Sequence, residues 1–315
     1  MLRRALFAAA LVLLAGCNSS NAVPPSVVPT PTPIPTPVPT ATPVPQHLYV
    51  GNDNGAGQIL QYTLPLTASS VSNFGVASPN NVSLAVDGTG NLIAGDNAGH
   101  LTYFPAPLSA ASVPTATFKN GSAGNNGQIA VTAAGDIFAA TDGAATNGFT
   151  HPFSNASTPS STVTNAGIVT AIGAALDASG NLYISNAAAT SNLFVFAPPY
   201  TAAPIATPAL ATTAYRKIAL SSTQLFATSV AGTTGRVDVY TLPITAASAP
   251  AFAITTGLNT PEGIALDAAG NLYVGNLSNA TITVYAPPFS AASAPAVTLT
   301  VSTGTFAIFG IAIGK

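Results

Sequence analysis

The chain has 315 residues, 48% of them apolar and only 5% charged, whereas an average globular protein is roughly 25% charged. Seven basic and nine acidic residues leave a net charge near −2, so there is no basic footprint for a phosphate backbone and nucleic acid is excluded as a partner. One cysteine rules out an internal disulfide, and with no Trp the stacking platforms of many sugar and single-strand binders are sparse.

The first segment, MLRRALFAAALVLLAGC, reads as an export leader. Arg3 and Arg4 open it, and the apolar run from Ala5 to Ala15 is too short to span a bilayer. It ends in Leu14-Ala15-Gly16-Cys17, which resembles the lipobox of bacterial lipoproteins. That resemblance implies a lipid on Cys17, a membrane partner reached through it, and a place in the bacterial cell envelope, outside the cytoplasm. Residues 1–17 are therefore expected to be a lipoprotein signal peptide.

Residues 18–46 form a Pro/Thr-rich linker that includes PPSVVPTPTPIPTPVPTATPVP. Proline at nearly every second position removes backbone donors and blocks both ladder and helix. The segment is expected to be an extended stalk, reaching about 90 Å at about 3.1 Å per residue, that holds a domain away from the membrane.

From His47 onward the chain is periodic. An apolar-Ala-apolar core is centred on Ala85, Ala130, Ala175, Ala219, Ala265 and Ala312, and apolar triplets start at Leu48, Leu92, Ile137, Leu182, Leu225 and Leu272. A Pro followed by an apolar residue and Ser or Thr recurs at Pro65, Pro107, Pro152, Pro199, Pro243 and Pro288, and all spacings lie between 42 and 47 residues. Such a period marks a repeat architecture. In the sixth unit EGIALD, NLYVGN, TITVYA and AVTLTV read as strands A to D. The Asp-x-x-Gly-Asn between A and B, as at Asp177 and Asp267, is a tight-turn signal, so those carboxylates belong to turns.

Four-stranded units of this length are blades, and the expected fold is all-β, a six-bladed β-propeller over residues 47–315. The units resemble the NHL-repeat family and its relatives in the strictosidine synthase and SMP-30 lactonase group through PEGIALDAAGNLYVGN and GRVDVY. Around strand C the chain departs from that pattern, keeping only Arg236 of its charges. Folding starts at strand B of the first unit, so the missing strand A is supplied by FGIAIGK at residues 309–315, and the C-terminal strand closes the ring with Ile311 and Ile313 buried against the first blade.

A-to-B turns and C-to-D loops are monotonous, whereas B-to-C and D-to-A loops vary, and function in such a scaffold belongs to the variable face. Aligned at the start of strand A, around the channel mouth, stand Phe309, Val82, Gly127, Ile172, Arg216 and Glu262. Arg216 and Glu262 fall in neighbouring blades and are expected to form a partly buried salt bridge whose loss destabilises the fold. At the end of strand B stand Asn52, Asp96, Thr141, Asn186, Ser229 and Asn276, with Asp53 and Asp142 just beyond. These groups suit turn capping; with Glu262 they would also suit a hard cation such as Ca²⁺. No other cofactor is expected.

The resemblance to SMP-30 lactonases implies a Glu, an Asn and an Asp on one metal in the channel, and only Glu262 stands in a comparable place. His47, His100 and His151 lack metal-ligand spacing, and no G-x-S-x-G elbow is present. The reading is a membrane-anchored, non-catalytic binding or scaffold module that meets a protein, a peptide or a neutral polymer through Glu262, Arg216, Asn52, Asp96, Asp142, Asn186, Asn276 and Phe309. The alternative is a metal-dependent lactonase or hydrolase with a degenerate site.

Overall fold

The computed structural model describes residues 45–53, 57–78, 80–121, 124–187, 193–201, 203–208, 215–231, 234–301 and 307–315. Cys17, the leader and residues 18–44 of the linker lie outside them.

The sixth repeat shows the building plan. Pro261–Leu266, Leu272–Asn276, Thr281–Tyr285 and Val297–Thr300 form an antiparallel sheet in that order. The second, third and fifth repeats build the same sheet. Among the described residues the fourth has three strands, and its outer edge continues as a bridge between Val195 and Ala206. In the first blade the innermost strand is the C-terminal Ile308–Gly314, paired antiparallel with His47–Asn52 so that Leu48 faces Ile313 and Val50 faces Ile311. The innermost strands then neighbour one another in a circle that returns on itself. This is a six-bladed β-propeller, closed by its last strand.

The core is divided into six apolar wedges, each shared by two adjacent blades. Tyr49, Ile59, Leu84, Leu92 and Phe104 fill the wedge between blades one and two, and Phe138, Leu182, Ile184 and Phe194 fill that between three and four. Closure is thus a packing event as well as a pairing. Ile308 and Ile311 sit in the wedge with Leu48, Val50, Tyr273 and Ile282. Ile313 is only partly buried, so Ile308 replaces it as the second anchor of the closing strand.

Each sequence landmark has a structural cause. All six prolines of the Pro-apolar-Ser/Thr motif follow a cis peptide bond. In five blades the Ser or Thr two residues later donates its backbone N–H to the hydroxyl oxygen of a serine three residues further on, as in Thr67 to Ser70 and Ser290 to Ser293. The fourth blade has Pro204 in place of that serine. Asp87, Asp177 and Asp267 each accept the backbone N–H groups two and four residues on and the side-chain amide of the following Asn. At Asp177 burial raises the carboxyl's pKa, but bonds from Asn181, Ser179 and Tyr183 outweigh it and hold the group below its ordinary value. They are turn residues, as the motif required.

Blades approach one another closely near the end of strand B, where the residues are Gly51, Gly95, Ala140, Ser185, Thr228 and Gly275. A Cβ on Gly95 would stand 2.8 Å from that of Asn126, and one on Gly275 would stand 2.5 Å from Ile308. Where a hydroxyl is tolerated it stitches the ring: Ser185 Oγ donates to Arg216 O at 2.5 Å, and Thr228 Oγ1 to Glu262 O at 3.2 Å.

Candidate functional site at the channel mouth

Strand A carries one extra residue opposite strand B near its start. The register shifts between Asn81 and Ser83, between Ala171 and Gly173, between Tyr215 and Ile218, and between Pro261 and Gly263, and the closing strand shifts between its Ile308 and Ile311 pairings. Val82, Ile172, Arg216, Glu262 and Phe309 all fall in these bulges. A bulge re-aims its side chain away from the pleat, which explains why aligned residues of unrelated chemistry share the mouth.

Arg216 Nε lies 3.4 Å from Glu262 Oε1. The expected pairing of adjacent blades is present, but it is loose: the Arg216 side chain is 35% exposed, and its Nε makes no hydrogen bond. Burial raises the Glu262 pKa above the usual carboxylate value against the pull of Arg216 and Lys217, and Asp142 adds to the rise. Desolvation of the carboxylate therefore works against the pairing, which offsets it only in part.

The dominant group is one the sequence reading passed over. Lys217 is buried, and its Nζ donates to Val82 O and, at 2.5 Å, to Phe309 O. The side chain leaves blade five and reaches blades two and one, so it crosses the channel. Burial pushes its pKa down to about 8, opposed by Glu262, Asp53 and Asp142 and reinforced by Arg216. Burial likewise raises the Asp53 carboxyl, against an Asn97 amide at 3.1 Å and the Lys217 charge. A second tie runs alongside. Gln128 Nε2 donates to Ile218 O at 2.7 Å, and its Oε1 accepts the backbone N–H groups of Ile218 and Ala174. Lys217 and Gln128 are aligned with Gly310, Ser83, Gly173 and Gly263. Four small residues leave the room that two long ones fill.

The structure thus groups Arg216, Glu262 and the backbone of Phe309 about Lys217, and sets Asp142 on blade three, where it accepts from Asn125 Nδ2 at 3.3 Å. It places the other candidates elsewhere. Asn186 Oδ1 accepts the N–H groups of Val169 and Thr170, Asn276 Oδ1 that of Asn259, and Asn52 Oδ1 that of Ala307. All three are buried and cap the D-to-A loop entering their own blade. Asp96 Oδ1 accepts the N–H groups of Ala98 and His100, and its Oδ2 stands 2.8 Å from His100 Nδ1, closing its own hairpin. Among the described residues no three His, Cys, Asp or Glu side chains stand together as a metal shell.

No family model matches the sequence, and no curated protein does. Solved structures do resemble it. A putative 6-phosphogluconolactonase from Bacteroides fragilis superposes with TM-score 0.65 at 13% identity, covering 88% of this chain and 100% of that one. A chain of a nidogen/laminin complex gives 0.62 at 17%, covering 86% and 98%, and a protein of unknown function from Bacteroides caccae gives 0.64 at 11%, covering 86% and 100%. These likenesses establish the fold alone.

Proposed function

We propose that the protein is a non-catalytic binding module, tethered to the bacterial envelope by a lipid on Cys17 and held outward by its Pro/Thr stalk, that meets its ligand on the face of variable loops. The observation that carries this reading is the stoppered channel. Lys217 and Gln128 spend their polar atoms on the ring's own backbone, so an ammonium holds the position in which a hydrolase would keep an open metal. Ligand contact then falls to the loops. Five basic residues lie within the propeller, scattered at Lys119, Arg216, Lys217, Arg236 and Lys315, which suits an uncharged partner better than a nucleic acid.

The rival, a lactonase of SMP-30 type, draws on the carboxylates of Asp53, Asp142 and Glu262 that act on Lys217 and on the fold it shares with a protein named as a lactonase. Calcium titration of the melting temperature decides between them, together with a lactone-hydrolysis assay. The binding-module reading expects no calcium-dependent rise and no hydrolysis. A rise that vanishes in Glu262→Gln, by mass action on the folded state, would establish a metal site and overturn it.

A further inference from the structure

A cleft of about 850 Å³ opens on the variable-loop side of blade three, where that blade faces blade two. It is lined by Asn147, Thr162 and Thr164 together with Thr141, Asp142 and Gly121. The volume lies in the range of small-molecule sites, about 300–1,000 Å³. The lining differs from that of most such sites: among the described residues that form it, none is aromatic, Lys or Arg.

The repeats explain why the cleft exists. The position of Asn147 in strand C is occupied by Leu60, Thr102, Phe194, Asp238 and Thr283 in the other blades, as their pairing with strand B shows. Leu60 and Phe194 fill the wedge with apolar bulk. Asp238 closes it with Arg236 Nε at 2.9 Å and the Tyr215 hydroxyl. In blade three the slot holds a short amide instead. Asn147 donates to Asn120 O and accepts from Thr162 Oγ1 at 2.9 Å, so it is fixed as a polar part of the lining. Thr102 in blade two opens an equivalent but smaller slot of about 260 Å³.

We propose that the blade-three cleft binds a neutral glycan. Threonine hydroxyls both donate and accept, the Asp142 carboxylate accepts, and sugar hydroxyls do both; an anionic ligand would meet Asp142 unbalanced, and an apolar one would strand the threonines. Without an aromatic platform the affinity rests on hydrogen bonds, which are modest against water. The partner is therefore held weakly at each site and favoured when polymeric. This inference rests on the binding-module reading and names its ligand class.

The test uses the intact protein and maltohexaose, cellohexaose and chitohexaose as probes, read by ligand-observed NMR up to about 10 mM. At least one is expected to bind saturably. Thr162 and Thr164 are exposed on an outer strand, so Thr164→Phe fills the cleft without entering the core and should weaken binding by at least about tenfold. Absence of saturable binding by all three probes overturns the glycan assignment while leaving the calcium result, and hence the module reading, intact. Binding that survives Thr164→Phe at an unchanged melting temperature places the glycan elsewhere and overturns the site.

Discussion

The ammonium nitrogen of Lys217 stands 2.5 Å from the carbonyl oxygen of Phe309, ninety-two residues further along the chain. The same nitrogen donates to Val82 O on the opposite blade, so one side chain ties the ring across its own axis. Carbonyl oxygens with carboxylates beyond them are what a hard cation seeks. Here the cation is covalently part of the fold.

The tie titrates. Its folded value of about 8 lies below the ordinary lysine value of 10.5, so between those limits the unfolded chain binds more protons. The amine's contribution is complete above the unfolded value and is lost as pH falls through the folded one. Wild-type stability should therefore gain roughly 1.5 kcal/mol relative to Lys217→Met between about pH 8 and 9.5, at 1.36 kcal/mol per unit. That window stays below the titration of the buried tyrosines, whose values are raised. Urea unfolding of both proteins at several pH values measures the difference, and parallel pH profiles would show that the amine is not buried as a charge.

Deleting residues 309–315 removes most of the strand that closes the ring. It strips Ile311 from its wedge, worth about 1.5–3 kcal/mol of burial, and leaves the edge of His47–Asn52 unpaired. Against a total stability of about 5–15 kcal/mol, with Ile308 left at a frayed end, the truncated protein should aggregate or lose its cooperative melt. Calorimetry of the two forms checks this, and a truncation that melts like the full chain would separate closure from stability.

Closure was legible because FGIAIGK repeats the start of a unit whose remainder lies at the other end of the chain. The turns were legible because Asp, Gly and Asn carry their own geometry. Lys217 was not, although its signal was present: the column Gly310, Ser83, Gln128, Gly173, Lys217 and Gly263 contains four small residues and two long polar ones. Reading it required knowing that strand A bulges one residue earlier, a backbone irregularity that side-chain patterns do not announce. Asn52, Asn186 and Asn276 had two open roles because an amide that caps a loop and one that binds a ligand look alike until their partners are seen. Blade four keeps the repeat's Pro199, yet its described residues form a bridge where the other blades have a fourth strand, and spacing alone does not reveal that.

Cys17 completes the lipobox, so Cys17→Ser should move the protein from the membrane fraction to the soluble one while its propeller still folds. Fractionation of cells expressing each form, with circular dichroism of the released mutant, measures both halves. A mutant that stays membrane-bound would end the lipid-anchor proposal.

Glu262 sets a sign that distinguishes two accounts of the channel mouth. If the Arg216 pair held the fold together, Glu262→Gln would cost about 3–5 kcal/mol, as breaking one side of a buried pair does. The geometry argues otherwise, because the contact is 3.4 Å and unbonded while the carboxylate is nearly inaccessible. Burial raises the Glu262 pKa above 4.5, so its contribution is present below that value and is lost as pH rises through the folded one. Wild type should therefore lose stability relative to Glu262→Gln on going from acid to neutral pH, and the variant should be no less stable at neutrality. Removing the carboxylate also deprives the Lys217 ammonium of its largest Coulombic support, so in the variant the lysine-linked rise in stability should begin at lower pH. Denaturant titrations from acid to alkaline pH measure both effects in one series. A neutral-pH cost of several kcal/mol would reinstate the salt bridge as the element that fixes the mouth.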